Sequence, residues 1–253
     1  MSEECDRKMS TRPVHFYSLD GSRLAGTLTL PENSSKEHPV PAVLLCQGLS
    51  GVKSLVLPEV ALRLAKAGFA SLAFDYRGYG ESEGEKGWIL PPSRVDDAFH
   101  AFAYLSQCPE VDPARLGVYG LSFGGPVALC VAAKEPRVRA VVAVSAPGNG
   151  ELLMRSLRTS SEWTTFKERL VADREKRATT GKSALVDIQE IFPFSPRFLS
   201  KYASLKPSGG TSAMAEPTAP NQKQLFHLSS AEAIIDFRPE EAARRLDPGR
   251  CFS

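Results

Sequence analysis

Apolar and polar positions change period repeatedly along the first 148 residues, and each change marks an element. Residues 14–19, an Asp20-Gly21 step and residues 23–30 read as a β-hairpin. Residues 42–46 (Ala-Val-Leu-Leu-Cys) form a continuous apolar run, as expected of a strand covered on both faces. Helical spacing over 58–67 stops at Gly68, and a second buried strand follows over 69–74. After a Gly- and Glu-rich loop at 77–92, residues 93–105 read as a helix with Ser93 as N-cap and Asp96 and Asp97 in its first turn. A strand at 116–119, a helix at 126–133 and an apolar strand at 138–144 complete the series. Strands alternating with helices predict an α/β fold with a mostly parallel sheet flanked by helices.

Beyond Pro147 the pattern is helical and highly charged. Trp163, Phe166, Leu170 and Val171 mark an apolar stripe within 151–177, and a Pro-punctuated segment follows at 188–199. The domain reading is therefore a core at 14–148, a helical cap insert at 149–206, a flexible Pro/Ser/Gly/Ala-rich linker at 207–222, and an incomplete return to the core at 223–253. A short helical pattern at 229–246 is not followed by an apolar strand.

Composition narrows the function classes. With 253 residues, 42% hydrophobic, 24% charged and a formal net charge of +2, neither a nucleic-acid nor a membrane-surface partner is indicated. Residues 1–13 lack an apolar leader core, and the most apolar stretch, 117–133, is broken by glycines, a serine and a proline. Five cysteines without a C-x-x-C pair fit a reducing compartment, and a cytoplasmic location is expected. Cys46 and Cys130 lie in apolar runs and read as buried thiols. No metal or organic cofactor is expected, because neither H-E-x-x-H, paired cysteines nor a dinucleotide fingerprint occurs.

The chemistry concentrates at Gly120-Leu121-Ser122-Phe123-Gly124, a G-x-S-x-G match between a strand and a helix. Such a turn lifts a serine hydroxyl above the sheet, and glycines give the turn room. Ser122 is the candidate nucleophile. An oxyanion at the attacked carbonyl needs two fixed N–H donors. Phe123 supplies one, and Leu49, in the Gly-rich stretch 47–51 after the strand at 42–46, supplies the other; an ordinary glycine turn is the alternative for that stretch. Of the four histidines, only His227 follows Ser122, and it is the candidate replacement base. His100 faces Asp96 or Asp97 along its helix, while His15 and His38 lie far from any catalytic loop. Glu151 is a candidate acid or a surface carboxylate. Arg77, Glu81 and Glu83 either shape a pocket or are solvated loop charges.

The segments PAVLLCQGLSGVKSLVLPEVALRLAKAGFASLAFDYRGYGESEGE, GVYGLSFGG and VVAVSAPGNGE, in this order, resemble the α/β-hydrolase superfamily. They are most similar to its dienelactone-hydrolase and serine-aminopeptidase-like (Xaa-Pro dipeptidyl-peptidase-like) branch. The resemblance covers residues 14 to about 148 and extends loosely into a cap. It implies a serine hydrolase cleaving an ester, amide or peptide-like acyl bond of a small-molecule substrate. It also implies further strands bearing a triad acid and histidine, in place of which residues 248–253 stand. On that pattern the C-terminal strands are missing, the activity is impaired, and the strand at 138–144 is an exposed edge open to self-association. The alternative is a catalytically inactive remnant that binds a ligand or partner chain.

Overall fold

The computed structural model describes residues 9–49, 51–194 and 225–246. Six strands form one sheet: β1 (Met9–Tyr17), β2 (Arg23–Pro31), β3 (Val40–Cys46), β4 (Ala70–Phe74), β5 (Val111–Leu121) and β6 (Val138–Val144). Their order is β1-β2-β4-β3-β5-β6. β1 and β2 form the expected antiparallel hairpin, and β2 runs antiparallel to β4; β4, β3, β5 and β6 are mutually parallel. This is the mostly parallel, helix-flanked sheet anticipated from the alternating pattern.

Alternation along the central strands sorts their side chains between two helical layers. Leu44, Leu72 and Val118 bury into the main core with helices α2 (Pro91–Leu105) and α3 (Gly124–Lys134). Leu45 and Ala73 turn to the other face and pack against Leu57 and Ala61 of α1 (Leu57–Lys66). Leu44, Leu45 and Leu72 are each fully buried. Each such leucine stabilises the fold by about 2 kcal/mol relative to exposure. β6 closes one side of the sheet, and there the cover thins. Val141 packs against the core, whereas Val142 and Val144 are 51% and 37% exposed.

Helix α2 departs from the sequence reading at its start. Pro91 and Pro92 occupy the first helical positions and Leu90, at φ −109°, is the N-cap, so Ser93 lies inside the helix and caps nothing. Proline is suited to this position because its φ is already helical and its missing N–H would have had no partner.

After β6 come α4 (Gly150–Ser156), α5 (Ser160–Thr180), the two-residue strand β7 (Leu185–Val186) and α6 (Ile188–Ile191). A Thr159–Glu162 capping box opens α5, and Gly181 at φ +71° ends it. Trp163, Phe166 and Leu170 are buried as the stripe requires, but Val171 is 46% exposed. Asp173 takes the next inward position instead, where it accepts hydrogen bonds from Ser183 Oγ and Ala184 N. Of the segment at 188–199, residues 195–199 lie outside the described residues, as does the linker at 207–222.

The chain returns as β8 (Phe226–His227), antiparallel to β7, followed by α7 (Ser230–Ile235) and α8 (Pro239–Ala243). A two-residue pairing carries no periodicity, and the sequence reading missed it. The returning segment docks closely: Gly150 N donates to Phe237 O at 2.9 Å, and a Cβ on Gly150 would lie 1.7 Å from Ile234 O. Ala231 and Ile234 are fully buried in the main core. Cys46, Cys108 and Cys130 are free thiols; the first two are buried and Cys130 is half-buried. Burial pushes the Cys46 thiol up to about 12. Among the described residues no helix is long and apolar enough to cross a membrane.

Candidate active site

Sheet order determines where the chain can build a crevice. From β3 the chain moves outward to β4, whereas from β5 it moves to β6 on the opposite side. Loops that diverge from adjacent parallel strands leave an opening between them, the usual ligand position in open α/β sheets. The loop after β3 and the turn after β5, which hold the three sequence-selected residues Leu49, Ser122 and Phe123, flank this opening.

Ser122 is exposed and sits at φ +52°, a left-handed conformation that residues other than glycine and asparagine seldom adopt. Its amide donates to Val144 O at 2.8 Å, and its carbonyl accepts from Gly125 N at 2.9 Å. Close packing explains the flanking glycines. A Cβ on Gly120 would lie 2.1 Å from Gly124 O, and one on Gly124 would lie 2.2 Å from Cys46 O. The turn is therefore pressed against the end of β3, and no side chain fits at either position.

The loop after β3 meets Ser122 at Gly48, where an added Cβ would lie 3.4 Å from Ser122 Cβ and 3.9 Å from Phe123 N. Side chains hold this loop from several directions. Gln47 Oε1 accepts from Gly48 N at 2.7 Å, and Gln47 Nε2 donates to Val52 O at 3.0 Å and to Leu55 O. Arg94, 2% exposed, donates from Nη1 to Gly48 O at 2.9 Å and from Nη2 to Leu49 O at 3.0 Å. Further along the loop, the buried Asp75 accepts from Lys53 N and Lys53 Nζ, each at 2.6 Å, and from Glu81 N at 3.0 Å. Burial opposes the Lys53 charge, but attraction and hydrogen bonds to Asp75 and Glu81 outweigh it and raise its pKa. The amides of Leu49 and Phe123 have no hydrogen-bond partner among the described residues.

The other candidates lie apart from this junction. Arg77 is bound by Asp20, Asp96 and Asp97 at 2.6–2.8 Å, Glu81 pairs with Lys53, and Glu83 accepts from Arg23 N. Glu81 and Glu83 link loops in this way, whereas Arg77 also lines a cavity together with Tyr79, Trp88 and Arg94. Glu151 accepts from Arg238 at 3.3 Å. His100 Nδ1 lies 2.9 Å from Asp96 O, as its spacing suggested. His227 stacks on Trp88 with ring centroids 3.9 Å apart, and its Nε2 lies 3.6 Å from Glu85. His15 and His38 are exposed. No histidine hydrogen-bonds to Ser122 among the described residues, and no cluster of metal-ligating side chains occurs among them.

Residues 41–186 match the family model described as the alpha/beta hydrolase fold. The chain belongs to the α/β-hydrolase family. This α/β-hydrolase is 33% identical over 168 residues to an uncharacterised 31.7 kDa Escherichia coli protein from the traX-finO intergenic region, covering 66% of the chain and 58% of that protein. It is 32% identical over 185 residues to the thiohydrolase aneE of Aspergillus aculeatus, covering 73% of the chain and 52% of that protein. A crystal structure of a hypothetical Pseudomonas aeruginosa protein superposes with a TM-score of 0.75 at 26% identity, covering 97% of this chain and 80% of that one. The chain thus spans little more than half the length of the curated relatives it matches.

Arg94, Gln47 and Asp75 were not singled out by the sequence reading. Arg94 leaves one trace: a cation in the first turn of a helix opposes the helix dipole. A residue placed there against that cost invites the question of what its charge does.

Proposed function

We propose that this chain is a serine-dependent acyl hydrolase in which Ser122 is the nucleophile and the Leu49 and Phe123 amides form the oxyanion hole. Ser122 Oγ attacks the carbonyl carbon of an ester, thioester or amide and transfers its proton to a base. The carbonyl oxygen, now negative, accepts from the two amides, the leaving group departs, and water hydrolyses the acyl-Ser122 ester. The observation that carries this reading is Ser122 itself, exposed at φ +52° directly beside the loop that holds Leu49. Curated relatives include a thiohydrolase and the acyltransferase drtE of Aspergillus calidoustus, which supports a small-molecule acyl substrate and adds thioesters to its class. Membership of the dienelactone-hydrolase and serine-aminopeptidase-like branch rests on the quoted motifs. The cytoplasmic assignment is supported by the free thiols Cys46, Cys108 and Cys130.

A second reading, an impaired α/β-hydrolase that binds acyl ligands, draws support from the histidines. His100 is tied to Asp96, and His227 is held between Trp88 and Glu85. Oxyanion stabilisation and binding alone leave about 10³–10⁴-fold catalysis over water. A fluorophosphonate probe, followed by p-nitrophenyl acetate turnover, separates the two. Labelling that is lost in Ser122→Ala supports the enzyme, whereas a folded chain that never labels rules it out. Self-association through β6 belongs to the same proposal, on the strength of the exposed Val142 and Val144. Sedimentation should then give a concentration-dependent mass that Val142→Lys abolishes; a monomer at all concentrations removes this element.

A further inference from the structure

Arg94 is a buried cation whose side-chain hydrogen bonds, among the described residues, go to main-chain oxygens. Its guanidinium lies over the rings of Tyr76, Tyr79 and Phe123, 4.8, 4.9 and 5.7 Å from their centroids, and reaches the carbonyls of Gly48 and Leu49. Asp97, one turn along the same helix, is occupied by Arg77. Nε of Arg94 is buried with no hydrogen-bond partner among the described residues. Burying a charge without a hydrogen-bonded carboxylate is costly, and the position at the start of α2 adds to that cost. Stability alone does not account for this arginine.

The peptide plane it grips supplies the account. Gly48 C=O and Leu49 N–H belong to one trans peptide, so they point in opposite directions. Holding Gly48 O against Arg94 therefore turns the Leu49 N–H away from the arginine, while the neighbouring Gly48 abuts Ser122 and Phe123 N. A cation on the carbonyl oxygen also draws electron density across the amide and makes its N–H a stronger donor. The aromatic contact of Arg94 with Phe123 bears on the residue that supplies the other amide.

We propose that Arg94 is a positioning residue of the oxyanion hole, one that fixes and polarises the Gly48–Leu49 peptide. This rests on the reading of Ser122 as nucleophile and deepens it. The pull on the peptide acts when the oxyanion develops, so its loss falls on kcat and leaves KM near the parent value.

The test uses the full chain and its Ser122→Ala, Arg94→Met and Arg94→Lys variants, with fluorophosphonate labelling rates and p-nitrophenyl acetate kinetics measured alongside cooperative thermal unfolding. Arg94→Met should label about 100-fold more slowly, the scale of losing one oxyanion donor. Arg94→Lys, which retains a charge but not the fork that spans two carbonyls, should fall between Met and the parent. Added ethylguanidinium should restore part of the Arg94→Met rate. Parent-like labelling in Arg94→Met overturns the proposal, as does a loss confined to KM. Should Arg94→Met fail to fold, parent-like labelling in Arg94→Lys overturns it instead. If Ser122→Ala labels as the parent does, the nucleophile reading fails first, and the role of Arg94 falls with it.

Discussion

The turn after β5 and the loop after β3 meet at Ser122, yet they are held in opposite ways. The turn is shaped by its own backbone: glycines that admit no Cβ, a left-handed serine, and main-chain hydrogen bonds from Ser122 N to Val144 O and from Gly125 N to Ser122 O. The loop is shaped from outside, by Arg94 on α2, Asp75 after β4, and the Gln47 side chain folded back over it. A turn fixed by its backbone can be written in five consecutive residues. A loop fixed by distant side chains cannot, and its geometry depends on every element that contributes one.

Two substitutions bear on this contrast. The larger effect is expected for Gly124→Ala, whose methyl would lie 2.2 Å from the Cys46 carbonyl and 2.7 Å from that of Gln47. Only backbone movement relieves such contacts. The loss should exceed about 4 kcal/mol, lowering Tm by roughly 10 °C or leaving no folded protein. A variant that melts with the parent would show that the turn is as adaptable as the loop. A smaller effect follows from Asp75→Asn, which leaves the half-buried Lys53 with Glu81 as its remaining carboxylate. About 2 kcal/mol is expected from losing hydrogen bonds to a charged acceptor, together with slower labelling of Ser122 in a chain that still folds. Unchanged labelling would mean that Arg94 and Gln47 hold the loop without it.

This contrast also explains what could be read before the structure was known. The parallel core was legible because strands buried on both faces must be continuously apolar, as at Leu44 and Leu45. The elbow was legible because close backbone approach demands glycine at 120 and 124. The β3 loop was legible only as glycine-rich. Arg94 is 45 and 46 residues from the carbonyls it binds, and no local pattern encodes a contact across that separation. The start of α2 was misplaced because Ser93 has the right chemistry for a cap, while Pro91 and Pro92 had already begun the helix. Val171 was placed on the inward stripe of α5 because it is apolar, but the position that continues the stripe belongs to a carboxylate, Asp173.

The left-handed serine has one more implication. A non-glycine residue held at φ +52° costs about 1–2 kcal/mol. Glycine would occupy the same conformation freely, and a chain chosen only for its resistance to unfolding would carry glycine at 122. That margin is the stability the fold gives up to hold a hydroxyl, rather than a hydrogen, at the mouth of the crevice.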